Sequence, residues 1–265
     1  MKTILITGAS TGLGLAMANH LHSRGFKVYG TSRKIQQDGL GFKALKMDVT
    51  DRASIKTAVD QVISEQGSID VVINNAGLGL AGPVEHLTDE DMLKVYNTNV
   101  LGVLKVCQEL MPHMRKQKSG KIINISSIGS EFGLPYRGGY SSTKAALDRL
   151  TEAMRMELKK FGVQACVVQP GGIQTDINAN RVVAPIPQGS PYKESFERCY
   201  DIINASVSQG LPVEAFGPEI EKIIQADKLN RVYRIGKFKE KLSVKVKRLA
   251  KDYIFENIIL KHYKI

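Results

Sequence analysis

The first twenty-three residues leave this chain few folds to choose from. Lys2 to Thr7 (KTILIT) is a short apolar run with no polar alternation, the pattern of a strand buried on both faces. It runs directly into GASTGLG, with glycines at 8, 12 and 14, and then into an amphipathic helix from Leu15 to Ser23. Strand, glycine-rich turn and helix in that order begin a β-α-β unit, whose helix packs back on a parallel sheet. Gly8 permits the tight turn, and Gly12 and Gly14 leave the helix N-terminus open to an anion such as a pyrophosphate. The pattern TGxxxGxG differs in spacing from the commoner GxGxxG, but its physics is related.

The rest of the chain continues the theme. Lys27 to Ser32 and Ala44 to Met47 read as strands, the latter ending in Asp48-Val49 with Thr50 capping a helix to Glu65. Asp70 to Ile73 ends in Asn74-Asn75-Ala76-Gly77, and a helix from Leu87 to Gln117 is interrupted by Asn97 and Asn99. Ile122 to Ile125 leads through two serines into a helix from near Tyr140 to about Phe161, ended by Gly162. Val163 to Gln169 and Arg231 to Ile235 supply the last strands. Read as β-α alternation with short joints, this predicts one α/β domain over residues 1–236. Its centre is a Rossmann-type, doubly wound parallel sheet of about seven strands, with ligands at the strands' carboxyl ends. A length of 265 residues and a 43% hydrophobic share fit one such domain with a large core.

Two pieces carry chemistry. Tyr140 and Lys144 are four apart, so on a helix they share a face one turn apart. An ammonium beside a phenol favours the phenolate and readies it to exchange a proton near neutral pH. Ser127 lies upstream, where the loop returns its hydroxyl toward the same spot. The second piece follows the second strand, where NAD-binding folds place a carboxylate for the ribose 2′-OH. Here stand Ser32, Arg33 and Lys34, and a guanidinium pairs with a 2′-phosphate where a carboxylate repels it. The alternative is an ordinary basic exposed loop.

With these residues together, the chain resembles the short-chain dehydrogenase/reductase family over about residues 1–236. The resemblance rests on TGASTGLG, Asp48-Val49, NNAG at 74–77, Asn99 in NTNVLG, Ser127 thirteen residues before Tyr140, YSSTK and PGGIQT. It implies that Tyr140 is the general acid/base and that Lys144 supports it and binds the nicotinamide ribose. Ser127 would hold the substrate oxygen with Tyr140, and Asn99 a water relaying protons to Lys144. It further implies that Gly8, Ser10, Thr11, Gly12, Leu13 and Gly14 line the phosphates, with Arg33 and Ser10 near a 2′-phosphate. Asp48 and Val49 would flank the adenine, and Asn75, Ala76, Gly77, Ile173 and Thr175 the rest of the dinucleotide. The implied activity is hydride transfer between NADP(H), preferred over NAD(H), and a carbonyl or secondary alcohol, without a metal. Reduction is the favoured direction because cellular NADP is mostly kept reduced. A catalytically silent nucleotide sensor or membrane-surface scaffold on the same fold is the alternative.

Two segments depart from the simple pattern. Residues 178–212 are too long for a plain loop, and Tyr192, Phe196, Cys199, Ile203 and Val207 recur at helical spacing. The resemblance places a substrate lid here, and the apolar stripe fits an apolar substrate or packing on the core. The charge is concentrated in a tail. Of a formal +11, residues 231–265 hold eleven Lys/Arg against three Asp/Glu. Within 237–265, Phe238, Leu242, Val246, Leu249 and Tyr253 recur at helical spacing among lysines, predicting one basic amphipathic helix. Its face fits an anionic membrane surface or packing over the substrate entrance, and nucleic acid is not expected as a partner. A homo-oligomer through the helices around 99–117 and 140–160 is open. Cys107 and Cys166 read as buried small hydrophobes. No signal peptide or membrane-spanning run is visible, so the expected location is cytoplasmic, with peripheral membrane contact open.

Overall fold

The apolar runs form strands with almost no exposed face. Thr3–Thr7 (β1) and Val71–Asn74 (β4) are buried at every position, which requires layers of helix on both sides. A computed structural model, which describes residues 1–175, 178 and 180–265, supplies those layers. The chain adds α1 (Gly12–Ser23), β2 (Lys27–Ser32), β3 (Lys43–Lys46), α2 (Arg52–Gln66), a short β5 (Leu80–Ala81), α3 (Asp89–Tyr96) and α4 (Val103–Gln117). Then come β6 (Gly120–Ile125), α5 (Gly138–Leu158), β7 (Val163–Pro170), a short β8 (Val182–Val183), α6 (Lys193–Ser208), α7 (Phe216–Gln225) and β9 (Val232–Ile235). Two helices close the chain, α8 (Phe238–Leu249) and α9 (Asp252–Tyr263).

Seven strands pair in the order β3-β2-β1-β4-β6-β7-β9, all parallel, as expected of a doubly wound sheet. Ile4 lies between Val28 on one side and Val71 on the other, so β1 is central. One core joins Ile4, Ile6 and Ile73 to Met17 of α1 and to Phe216, Ile220 and Ile224 of α7. The other joins Leu5, Val72 and Ile122 to α2, α4 and α5 through Val59, Val106, Leu110 and Leu147. The strand order reverses beside β1 and β4, which puts a crevice at their carboxyl ends.

Three expectations need correction. The even β-α alternation fails between β2 and β3, where residues 33–42 hold no helix. The Gln37 side chain organises this loop instead, donating to the Phe42 carbonyl at 2.9 Å and accepting from the Ala44 amide at 2.8 Å. The helix expected from Leu87 to Gln117 is two α-helices joined by a π-helical stretch, Asn97–Gly102. The single basic helix of the extension is two helices, because Ala250 and Lys251 are both extended. Asp176, in the expected PGGIQTD stretch, and Ala179, in the expected lid, lie outside the described residues. So does Ile177.

Candidate active site

Strand ends deliver the polar residues. β6 hands the chain to Ser126 and Ser127, and the two hydroxyls differ in fate. Ser126 is buried, its amide donating to the Val168 carbonyl at 2.7 Å and its hydroxyl to that of Lys144 at 3.4 Å. Ser127 is half-buried, and its Oγ accepts the Gly129 amide at 3.1 Å. That contact occupies a lone pair and leaves the Ser127 proton free to be donated.

Tyr140 sits in the first turn of α5, walled by Leu80, Val95, Leu87, Met92 and Val182. Lys144 follows one turn later, its ammonium 5.9 Å from the centre of the Tyr140 ring. The ammonium also donates to the Ile125 carbonyl at 2.9 Å, which pins it at the end of β6. Both side chains are buried, so the charge acts on the phenol in a medium that screens it weakly. The structure therefore brings the expected pair together.

Asn99 lies fully buried in the π-helical stretch, which fits an extra residue into the helix and interrupts its regular bonding. Its Oδ1 accepts the Leu78 amide at 2.8 Å, and its Nδ2 donates to the Leu78 carbonyl at 2.8 Å and to Thr143 Oγ1 at 3.1 Å. A Cβ on Gly77 would lie 3.3 Å from Asn99 Oδ1 and 3.6 Å from Lys144 Nζ. Gly77 thus leaves space where the asparagine and the lysine approach one another.

A dinucleotide needs a place for its phosphates, and the start of α1 offers one. Thr11 at the N-cap makes no side-chain capping bond, and the first turn carries no acid, so the helix amides are left for a ligand. Ser10 and Thr11 are exposed, while Gly12 and Leu13 are half-buried beside them. Thr175 flanks the same turn, since a Cβ on Gly12 would lie 3.5 Å from the Thr175 Cβ. Ile173, two residues earlier, is buried and bridges to Leu211. These residues fit a nicotinamide dinucleotide.

Gly14 plays a different part from the one its motif implies. A Cβ there would sit 2.1 Å from the Gly8 carbonyl oxygen and 2.6 Å from Asn75 Nδ2, so the turn itself fills that space. Asn75 holds the turn shut, its Nδ2 donating to the Thr7 and Gly8 carbonyls at 3.0 Å each. The Asn75 and Ala76 amides both donate to Thr7 Oγ1 at 3.0 Å.

At the far end, Arg33 is exposed and has no carboxylate partner among the described residues. Asp48 stands near it. Burial opposes the charge on Asp48, but the Thr50 amide and hydroxyl, with Arg33 and Lys105, hold its carboxyl below the usual range. Val49 is half-buried and faces Gly102, where a Cβ would meet Val49 Cγ2 at 3.0 Å.

The sequence reading missed several groups around this site. The Arg137 guanidinium lies 4.9 Å from the centre of the Tyr140 ring. Its position three residues before Tyr140 was the available signal. Arg181 donates to Asn204 at 2.8 Å and to Asn178 at 2.6 Å, and stacks over Tyr200. Burial and then Arg137 push it below the ordinary guanidinium range. Glu131, behind Ser127, accepts from Gln169, Arg234 and Arg248. The apolar stripe of α6 is packed, with Phe196 edge-on to Tyr136 and Cys199 and Ile203 against Tyr263 of α9.

A family model described as short chain dehydrogenase matches residues 2–184. A 3-ketodihydrosphingosine reductase of Bacteroides thetaiotaomicron is 39% identical over 265 residues, covering 100% of this chain and 98% of that protein. An NADPH-dependent 1-acyldihydroxyacetone phosphate reductase of Schizosaccharomyces pombe is 35% identical over 201 residues, 72% of this chain and 68% of its own. Among solved structures, a short-chain dehydrogenase from Streptomyces avermitilis superposes with a TM-score of 0.81 at 26% identity, covering 99% of this chain and 96% of that one.

Proposed function

The chain belongs to the short-chain dehydrogenase family, and from that premise we propose that it is an NADP(H)-dependent reductase of a ketone on a long-chain, apolar substrate. The observation that carries this reading is the buried Tyr140–Lys144 pair, pinned to the end of β6 that leads into Ser127 and at the same sheet edge as the uncapped start of α1. The full-length likeness to a 3-ketodihydrosphingosine reductase supports a 3-keto sphingoid base as the substrate class. Cytoplasmic location, peripheral membrane contact through 237–265 and pairing of copies through α4 and α5 belong to the same proposal.

Gly8 to Gly14 would hold the pyrophosphate, Arg33 and Ser10 the 2′-phosphate, and Asp48 and Val49 the adenine. Asn75 to Gly77, Ile173 and Thr175 would hold the remainder. When bound, the dinucleotide supplies the hydride that reduces the carbonyl carbon. Ser127 donates its free proton to a hydrogen bond with the carbonyl oxygen, where negative charge develops. Tyr140 then gives its phenolic proton to that oxygen, and the O–H bond of the alcohol forms as the O–H bond of Tyr140 breaks. The Lys144 ammonium stabilises the phenolate left behind. Water held near Asn99, in the space beside Gly77, returns a proton by way of Lys144. The walls of Leu80, Leu87, Val95 and Met92 keep bulk water from the phenol.

Stopped-flow binding and steady-state kinetics test this reading. Tyr140→Phe should bind NADPH like the wild type while turnover of a long-chain 3-keto sphingoid base falls by roughly 10²–10⁴-fold. Undiminished turnover would remove the phenol from the mechanism, and NADPH binding without any turnover by the wild type would favour the silent-sensor alternative. Arg33→Ala should cost about tenfold or more in kcat/KM with NADPH and little with NADH, the loss expected for one charge-assisted bond. Equal use of both cofactors by the wild type would overturn the NADP preference.

A further inference from the structure

The apolar stripe of α8 turns outward. Phe238 is 75% exposed, Leu242 41% and Leu249 88%, whereas Val244, on the other side of the helix, is 2% exposed. At 3.6 residues per turn, Phe238, Leu242 and Leu249 fall within one narrow arc. Lys241 and Lys245 border that arc on one side and Lys239 on the other, all three exposed. None of the three is ion-paired among the described residues.

The inner side of the same helix is fixed to the protein. Glu240 accepts the Gly172 amide at 2.7 Å, at the carboxyl end of β7. Arg248 reaches Glu131, behind the Ser127 loop, at 3.1 Å. The outward stripe is therefore not a frayed segment awaiting a place in the core. Tyr253, Ile254 and Ile258 of α9 are exposed as well. Single exposed apolar residues carry no meaning, but an ordered row edged by cations does.

We propose that this face of α8 docks the enzyme on an anionic bilayer, with Phe238, Leu242 and Leu249 at the acyl boundary and Lys239, Lys241 and Lys245 among the headgroup phosphates. The proposal rests on the reading of 237–265 as a membrane contact and names the face and the surface chemistry. Charge decides between occupants. A second copy related by a two-fold axis would set the same lysine rows against each other, on a chain already at a formal +11. Anionic headgroups match those rows, and the helix geometry matches an element lying in the interface. No helix among the described residues is long and apolar enough to cross a membrane.

The test is co-sedimentation of the full chain with vesicles of phosphatidylcholine alone and with phosphatidylglycerol added, at low and high salt. The wild type should pellet with the anionic vesicles at low salt and little with the neutral ones. Phe238→Glu with Leu249→Glu should abolish pelleting. Changing Lys239, Lys241 and Lys245 together to Gln should weaken binding on the order of a hundredfold, at about fivefold per lysine. Both variants should keep the wild-type melting midpoint and turnover of a short, water-soluble ketone. Failure of the wild type to bind, or unchanged binding by the Glu variant, overturns the proposal. So does a dimer, seen by light scattering, that only the Glu variant dissolves without any vesicle binding. Because vesicle binding is read without substrate, docking that persists while no ketone is reduced would sink the reductase reading alone.

Discussion

Replacing Glu240 by alanine tests whether the C-terminal extension is built into the active site. Its carboxylate accepts the Gly172 and Lys237 amides, each at 2.7 Å. The first bond ties α8 to the loop after β7, and the second closes the start of α8. A Cβ on Gly171 would lie 2.1 Å from the same carboxylate, so the loop and the side chain are fitted to each other. Losing a charged acceptor from a partly buried amide costs about 1.5–3 kcal/mol, and losing the bond that closes the start of α8 costs about 1 kcal/mol. Water can rehydrate the exposed Lys237 amide, so the total should settle near 3 kcal/mol. For a chain of this size that lowers the melting midpoint by about 6–12 °C in calorimetry. Glu240→Gln keeps one acceptor and should lose about half as much. Ile173 and Thr175 follow Gly172 directly, so the alanine variant should also show a raised KM for NADPH with a better preserved kcat. If Glu240→Ala melts with the wild type and binds NADPH equally, the extension does not support the site.

Two further outcomes follow from the same structure. Gly14→Ala should be far more damaging than Gly25→Ala, because a Cβ at 14 meets the Gly8 carbonyl at 2.1 Å while one at 25 meets nothing within 4 Å. Gly25 has a positive φ, so its replacement costs only backbone strain of about 1 kcal/mol, and comparing soluble yield and melting midpoint decides the matter. Burial opposes the charge on Glu131, but Arg234, Gln169 and Arg248 hold its carboxyl below the usual range. A depressed folded value contributes stability that is complete above the unfolded pKa and is lost as pH falls through the folded one. Glu131→Gln should therefore melt lower than wild type near neutral pH, with the gap closing in acid, and a constant gap across pH would refute the assignment.

What the sequence made legible was what lies close along the chain. β1, β4, β6 and β7 announce themselves as apolar runs, and the polar residues that follow them lie at the sheet's carboxyl edge because the chain leaves the sheet at that point. Tyr140 and Lys144 were readable because a helix fixes their separation. Residues 33–42 were misread because Gln37 acts as a side-chain clip, and a single glutamine in a polar loop leaves no periodic trace. Arg181 and Glu240 reach the site from segments distant in sequence, and Glu131, though near Ser127 in the chain, takes its partners Gln169, Arg234 and Arg248 from distant ones, so only the folded sheet reveals them. The extension shows the limit most clearly. Spacing established that Phe238, Leu242 and Leu249 share a face, but not whether that face turns inward, since burial depends on what the other segments leave uncovered.

The expected boundary at Gly236 marks a change of composition across which packing continues. Val244, Phe255 and Tyr263 of the extension are buried; Phe255 stands edge-on to Phe132, and Tyr263 lies against Cys199 and Ile203 of α6. Cutting the chain after Gly236 would uncover those α6 residues and remove Glu240 and Arg248 from the loops they hold. Each buried large side chain contributes on the order of 1.5–3 kcal/mol, so the loss would exceed what a domain with a few kcal/mol in hand tolerates. A truncated chain that neither binds vesicles nor reduces ketones would therefore report unfolding around α6, not the role of the tail. Substitutions confined to the outward arc of α8 leave every one of those inner contacts in place, and only they separate a membrane surface from a structural support.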